Sequence, residues 1–99
     1  MPAIRLATWN VNSIKVRLPH LLQWLAAQDA MKAPIDALCL QELKLTEDKF
    51  PFAELEAAGY YSLVAGQKTY NGVAILLRKA SLAAIAQDVN TAFLSPIKN

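Results

Sequence analysis

The feature that most constrains this chain is a short apolar run that stops at an amide, a carboxylate and, two residues later, a lysine: LCLQELK, residues 38–44. An apolar run of this length that ends at polar residues is typical of a buried strand. The first apolar run, from Ile4 to Trp9, ends in the same way at Asn10. If both runs are strands, Asn10 and Glu42 stand at the rim of a sheet, where open α/β folds bind their ligands.

The segment between the two runs has the periodicity of a helix. Its apolar residues lie at the i, i+3, i+4 and i+7 positions of one stripe, namely Leu18, Leu21, Leu22 and Leu25. Pro19 fits the first turn of this helix, or bends an earlier turn at residues 13–17. Residues 28–33 are polar and predict a loop. Because a helix between two strands favours a parallel β-α-β crossover, Asn10 and Glu42 are expected at the same edge of the sheet.

The remaining pattern predicts three further elements. Ile4, Leu6, Thr8 and Asn10 alternate along the first strand and predict that Asn10 continues an inward-facing row. A short helix begins near Pro51 and stops at Gly59. Strands at residues 60–65 and 72–78 flank a loop, GQKTYNG, and predict a hairpin. Residues 81–86 are compatible with either helix or strand.

Composition limits the class of protein. The chain of 99 residues is long enough for one small domain, and its apolar share of 55% exceeds the usual share for a soluble domain. This excess indicates a surface that another part of a protein covers. The net charge of +2 permits a polyanionic partner without requiring one. No apolar run reaches the roughly 20 residues needed to span a bilayer, so no membrane partner is expected. The single Cys39 is expected to be a buried, reduced thiol in a cytoplasmic protein.

Three motifs, in this order and spacing, resemble a known enzyme family: TWNVN at residues 8–12, LQELK at 40–44 and GQKTYNGVAI at 66–75. Together they resemble the N-terminal part of AP endonucleases of the exodeoxyribonuclease III type, within the endonuclease/exonuclease/phosphatase superfamily. The helix RLPHLLQWL, residues 17–25, is similar to the bacterial branch. The resemblance covers residues 3–78, as the N-terminal portion of such a domain, and leaves residues 79–99 as a divergent or truncated tail.

The resemblance implies both a fold and an activity. The fold is α/β, the N-terminal part of a four-layer α/β sandwich of the DNase I-like type, incomplete in these 99 residues. The activity is Mg²⁺-dependent phosphodiester cleavage, with Mn²⁺ as the other candidate cation, at abasic sites and 3′ ends of double-stranded DNA. Asn10 and Glu42 match the family's metal-site residues, and their oxygens suit a hard cation that keeps several waters.

The resemblance also assigns DNA contacts. Asn12, Arg17 and Lys44 lie beside the metal ligands in the sequence and would face phosphates. Lys68 and Tyr70 match the loop that this family presses against DNA near the lesion, where a tyrosine can stack or wedge against bases. The plain alternative is that the cations are solvated surface residues and the loop is an ordinary hairpin tip.

The sequence departs from the family in one large respect. The later family motifs, Gly-Asp-Phe-Asn and Ser-Asp-His, are missing, and His20 cannot replace the missing histidine because it belongs to the first helix. We therefore expect an N-terminal fragment that is inactive alone, with an uncovered sheet face that favours self-association. Two alternatives stay open: a non-catalytic remnant that binds DNA or protein, and a superfamily phosphatase or phosphodiesterase acting on lipid or inositol phosphates.

Overall fold

The structure, a computed structural model, describes residues 4–66 and 72–89 and has a mixed α/β architecture. The strands are β1 (Leu6–Asn10), β2 (Ala37–Gln41), β3 (Tyr60–Gly66) and β4 (Gly72–Arg78). The helices are α1 (Ile14–Asp29), α2 (Phe52–Ala57) and α3 (Lys79–Val89), with a 3₁₀ turn at Glu47–Lys49. The segment at residues 81–86, for which helix and strand were both open, lies in α3.

The four strands form one sheet in the order β1-β2-β4-β3. β1 and β2 are parallel, with Asn10 opposite Gln41, which confirms the crossover through α1. β3 and β4 are antiparallel with Gly66 opposite Gly72, which confirms the pairing expected of a hairpin. The carboxyl end of β3 and the start of β4 therefore lie at the same edge of the sheet as the carboxyl ends of β1 and β2.

The hydrophobic core lies on one face of this sheet, beneath α1 and α2. It joins residues of both helices to every second residue of the inner strands, including Ile14, Leu21, Leu25, Leu38, Leu40, Leu55, Ala74 and Leu76. Each fully buried leucine stabilises the fold by roughly 1.5–3 kcal/mol relative to an exposed one. The predicted helical stripe is thus confirmed, with Leu18 and Leu22 packed at its margin.

The opposite face of the sheet is uncovered in the described part of the chain. Strand pairing places on it a set of large apolar side chains that are 39–71% exposed: Leu6, Tyr61, Leu63, Val73 and Ile75. Such a face was expected from the apolar content, and self-association through it stays a prediction. Cys39 shares this face and is only half-buried, so the expectation of a buried thiol is wrong.

Helix α1 agrees with the alternative of an earlier turn before Pro19, and it extends beyond its predicted end. It begins at Ile14, and Pro19 lies inside it although proline cannot donate the bond that the Lys15 carbonyl would accept. The helix continues through this point because Leu21 and Leu25 beyond it are fully buried. It also extends past Gln28, which was expected in a loop. Gln28 is buried, and its side-chain oxygen accepts the backbone N–H of Ile35 at 3.1 Å.

Helix α2 ends where the sequence predicts. Gly59 has φ of 97°, the left-handed conformation that glycine adopts most readily, and it separates α2 from β3. No helix within residues 4–66 and 72–89 is both long enough and apolar enough to cross a membrane.

Candidate metal centre

The loops that follow β1 and β2 have unusual backbone conformations. Asn12, Ser13, Glu42 and Lys44 have φ values of 48°, 92°, 56° and 58°, and they are the non-glycine residues with positive φ in the part of the chain that the structure describes. Non-glycine residues seldom adopt this region, and it recurs where the surrounding structure holds a functional site. Both loops therefore have the strain that is typical of a binding site.

Backbone hydrogen bonds join the two loops to each other. Three backbone N–H groups at the first loop donate to carbonyl groups at the second, at distances of 2.9–3.1 Å: Val11 to Gln41, Ser13 to Glu42 and Ile14 to Leu43. The Leu43 N–H in turn donates to the Gly72 carbonyl at 3.2 Å, which ties the second loop to the start of β4. The site is thus fixed by main-chain bonds before any ligand binds.

The side chains of Asn10 and Glu42 are in direct contact at this edge. Asn10 Nδ2 donates to Glu42 Oε2, while Asn10 Oδ1 accepts the backbone N–H of Asn12 at 3.1 Å. The prediction that Asn10 continues an inward-facing row is wrong. Asn10 and Thr8 are exposed on the uncovered face, and Trp9 packs against the core instead. Asn10 reaches the site because it ends the strand.

The donor chemistry of this pair fits a hard divalent cation. Asn10 Oδ1 has a second lone pair beyond the one used by Asn12, and the Glu42 carboxylate has a second oxygen. Mg²⁺ takes oxygen ligands and commonly keeps several waters, so one carboxylate and one amide oxygen suffice as protein ligands. Within the described ranges, no group of three or more histidine, cysteine or acidic residues could hold a metal. The pair would therefore form an open site with few protein ligands.

Of the residues predicted to face phosphates, Asn12 and Lys44 contact each other, whereas Arg17 contacts the backbone. Lys44 Nζ donates to Asn12 Oδ1, which brings both residues to the same edge as Asn10 and Glu42. Arg17 is half-buried, and its Nε donates to the Val11 carbonyl at 3.3 Å. Arg17 thus stabilises the first loop through its backbone. Its predicted phosphate contact is untested.

Lys68 and Tyr70 lie outside the described residues. Their flanking residues, Gly66 and Gly72, lie at the edge of the sheet that carries the candidate site. The prediction that they contact DNA is therefore untested.

Sequence reasoning missed two features of this edge. Gln41 Nε2 donates to Thr8 Oγ1 at 2.7 Å and so links β1 to β2 on the uncovered face. A groove of about 680 Å³ also opens beside Lys44, and its lining includes Lys15 and Lys49. The signal for the groove is weak in the sequence because these two lysines belong to different elements, whose approach only the fold shows.

A second cleft, of about 380 Å³, opens between α1 and the free edge of β1. It is lined by Ala7, Thr8, Trp9, His20, Trp24 and Leu38. Four of these six residues are apolar, and neither Asn10 nor Glu42 lines the cleft. His20, the only histidine of the chain, thus lines a mainly apolar cleft that does not include the candidate metal ligands.

Comparison with known proteins shows which family this chain matches. The sequence profile described as the Endonuclease/Exonuclease/phosphatase family matches residues 7–92. Exodeoxyribonuclease III of Haemophilus influenzae is 32% identical over 76 residues, which are 77% of this chain and 27% of that protein. DNA-(apurinic or apyrimidinic site) endonuclease 2 of the mouse is 31% identical over an alignment of 99 positions, and the match covers 86% of this chain and 18% of that protein.

Solved structures agree with these relatives. A 3′ phosphatase from Neisseria bound to a product DNA hairpin shares 53% identity with a TM-score of 0.66, over 77% of this chain and 28% of that one. An AP endonuclease from Archaeoglobus fulgidus shares 40% identity with a TM-score of 0.67, over 76% of this chain and 27% of that one. The chain thus spans about a quarter or less of the length of the proteins that it matches.

Proposed function

Because the chain belongs to the endonuclease/exonuclease/phosphatase family, we propose that it forms part of a DNA-repair nuclease. The proposed reaction is hydrolysis of phosphodiester bonds at abasic sites and 3′ ends of duplex DNA, with Mg²⁺ or Mn²⁺ as cofactor. The observation that carries the proposal is the contact between Asn10 and Glu42 at the carboxyl ends of two parallel strands. The similar proteins named for exonuclease, AP endonuclease and 3′ phosphatase activity support the choice of DNA as substrate.

The chain's own residues would bind and orient one phosphate. A divalent cation held by Asn10 and Glu42 would supply Lewis-acid polarisation of the phosphoryl oxygens. Lys44, held by Asn12, adds a positive charge beside the same phosphate and so stabilises the negative charge that develops during hydrolysis. Arg17 holds the Val11 carbonyl and thereby keeps the first loop in its strained conformation.

We propose that the general base comes from residues other than those at this edge. Deprotonation of the attacking water requires a side chain within hydrogen-bond reach of it. His20 lines the apolar cleft, and the carboxylate at the candidate centre is the proposed metal ligand Glu42. The described residues thus account for cation binding and phosphate orientation. Lys68 and Tyr70 are proposed to extend the contact along the DNA, because β3 ends and β4 begins at this edge.

The test is incision of a duplex that has one abasic site, measured with Mg²⁺ and with chelator, beside release of phosphate from an inositol phosphate. We expect the 99-residue chain to bind the duplex and to cut it slowly or not at all. Any cutting should require the divalent cation and should disappear in Glu42→Gln but not in the matched variant Glu56→Gln. Cutting that survives chelator, or activity on the inositol phosphate alone, would contradict the proposal.

A non-catalytic binding module is the second candidate. The observation that favours it is that the described residues offer one carboxylate at the candidate centre and no group of three potential metal ligands. A module of this kind would bind duplex DNA with equal affinity in Mg²⁺ and in chelator, and Glu42→Gln would leave this affinity unchanged. Affinity that rises with Mg²⁺ and loses this rise in Glu42→Gln would favour the nuclease.

A further inference from the structure

The uncovered face of the sheet has an uncharged side chain at every strand position. Strand pairing defines three rows across this face, each with one residue from every strand. In the strand order β1, β2, β4, β3, the rows are Leu6, Ala37, Leu77 and Tyr61; Thr8, Cys39, Ile75 and Leu63; and Asn10, Gln41, Val73 and Ala65. None of these twelve residues is an acid, a lysine, an arginine or a histidine.

The face has the size of an apolar patch that binds a partner. Strands lie about 4.8 Å apart and rise about 3.4 Å per residue, so four strands and three rows extend over roughly 400 Å². Exposed apolar patches of a few hundred Å² are often interaction sites. A stable interface typically takes about 800 Å² from each partner. We therefore expect a partner that binds this face reversibly and dissociates on dilution.

The polar side chains of the face already have hydrogen-bond partners within the chain. Gln41 Nε2 donates to Thr8 Oγ1 at 2.7 Å. At the margin, Asn10 donates to Glu42 and accepts the backbone N–H of Asn12. Covering a polar group is costly mainly when it is left unpaired. A partner of this face therefore has to supply apolar surface and not a matching set of hydrogen bonds.

The absence of charge makes the face complementary to itself. In a two-fold symmetric dimer the same surface of both copies meets, so a charge near the axis would lie against a like charge. The twelve strand positions contain no such charge. Lys79 lies at the margin, 5.1 Å from the centre of the Tyr61 ring, and it pairs with Glu56 at 3.8 Å. A second copy of the chain thus meets an apolar surface of its own kind without repulsion.

We propose that the uncovered face binds a second copy of this chain in a symmetric, face-to-face dimer. The inference goes beyond the proposed function and requires neither a cation nor DNA. Two packed sheets lie about 10 Å apart. Cys39 and Ile75 occupy the middle row on the two inner strands. A two-fold axis through the centre of the face therefore brings each of them close to its own counterpart, whether the axis runs along the strands or across them.

The first experiment measures the mass of the chain in chelator by sedimentation at a series of protein concentrations. We expect the mass to rise towards twice 10.9 kDa and to fall back on dilution. Ile75→Lys should raise the Kd of the dimer at least about tenfold, because two ammonium groups meet near the axis. The control is Val16→Lys. Val16 is 61% exposed on α1, which packs on the opposite face of the sheet, so the Kd should not change.

A charge exchange separates loss of the interface from loss of the fold. Ile75→Glu should weaken the dimer as Ile75→Lys does, because two carboxylates then meet near the axis. An equimolar mixture of the two variants should form a mixed dimer with a Kd near that of the unchanged chain. A restored dimer requires that both variants fold. Failure of the mixture to restore it would contradict the proposed contact.

Cys39 provides a chemical test of the same contact, since it is the only cysteine and is half-buried on this face. A short bismaleimide should join two chains through Cys39 at concentrations where the dimer forms, and Cys39→Ser should abolish the cross-link. In the double variant Cys39→Ser, Lys32→Cys the cysteine lies beyond the end of α1, away from the face. We expect no cross-link in that variant.

Three results would overturn the inference. A mass that stays at 10.9 kDa at every concentration would show that the face does not bind a second copy. Growth beyond two copies would contradict a symmetric interface, which closes at the dimer. An unchanged dimer in Ile75→Lys would assign the contact to another surface, such as the free edge of β1. Because these measurements use chelator and no DNA, loss of metal-dependent incision would reject only the proposed function.

Discussion

One carboxylate lies directly before strand β2 and another lies directly after it, and the two make different contacts. Asp36 comes directly before the strand; its Oδ2 accepts the backbone N–H of Arg5 at 2.7 Å and its Oδ1 accepts the hydroxyl of Ser81. Glu42 comes directly after the strand, in the left-handed conformation, and its side chain contacts the amide of Asn10. One acid thus joins the starts of β1 and β2 to α3, and the other faces a strained loop.

This difference shows how a structural acid can be told from a candidate ligand. Both oxygens of Asp36 are occupied by donors from separate elements, and its main-chain carbonyl also accepts the N–H of Arg78 at 2.9 Å. The carboxylate of Glu42 retains acceptor capacity at a site fixed by main-chain bonds. We infer that Asp36 stabilises the fold and that Glu42 contributes mainly to binding.

The largest expected effect on stability comes from Asp36→Asn. An amide in this position can satisfy only one of the two donors and places an NH₂ group against the other. We expect the free energy of unfolding, measured by urea denaturation, to fall by about 1–3 kcal/mol. The matched change Glu42→Gln should cost no more than about 0.5 kcal/mol, because Gln Oε1 can still accept from Asn10. Equal costs for the two changes would remove the distinction between the two acids.

Acid should remove part of the same stability. The Arg5 N–H and the Ser81 hydroxyl lower the pKa of Asp36 below its ordinary value, and the positive charges of Arg78 and Arg5 act in the same direction, against the effect of burial. A lowered folded-state pKa means stability that is fully present above about pH 4 and is lost as pH falls through the folded pKa.

The control for this pH dependence is the Asp36→Asn variant. The Thr46 hydroxyl lowers the pKa of the exposed Asp48 as well, which adds acid sensitivity of the same sign. Subtracting the Asp36→Asn profile from that of the unchanged protein isolates the contribution of Asp36. A difference that does not change between pH 6 and about pH 3 would contradict the assignment.

A smaller effect than that of Asp36→Asn is expected of Ser81→Ala. This change removes one of the two donors to Asp36 and leaves the Arg5 N–H in place, so we expect a loss of about 0.5–1.5 kcal/mol in thermal or urea denaturation. Ala80→Ser, on the exposed side of the same helix, is the control and should change stability by less. A loss as large as that of Asp36→Asn would mean that Ser81 alone accounts for the contribution of the acid.

Sequence reasoning was most successful where local pattern and topology agree. The parallel crossover fixed the common edge of Asn10 and Glu42, and Gly59 and Gly72 marked real boundaries. Sequence reasoning failed where the burial of a residue depends on which face of the sheet the helices cover. Asn10 follows Leu6 and Thr8 onto the exposed face, because alternation defines two faces without stating which one is buried.

Other parts of the site required tertiary information. Neither the backbone conformation of Glu42 nor the contact of Lys44 with Asn12 can be read from spacing, since each depends on the bonds that join the two loops. Pro19 left the start of α1 open between two positions, because the cost of proline in a helix interior is local. The burial of Leu21 and Leu25 that offsets this cost comes from distant residues.

The most direct test of the central claim is Mn²⁺ binding, followed by the loss of the free-ion signal in electron paramagnetic resonance, in the unchanged chain, Glu42→Gln and Asp36→Asn. Loss of an outer partner commonly weakens metal binding roughly 10–100-fold, and loss of a ligand should do at least as much. We predict a loss of that size in Glu42→Gln and an unchanged affinity in folded Asp36→Asn. Unchanged Mn²⁺ affinity in Glu42→Gln would contradict the assignment of the metal centre to Asn10 and Glu42.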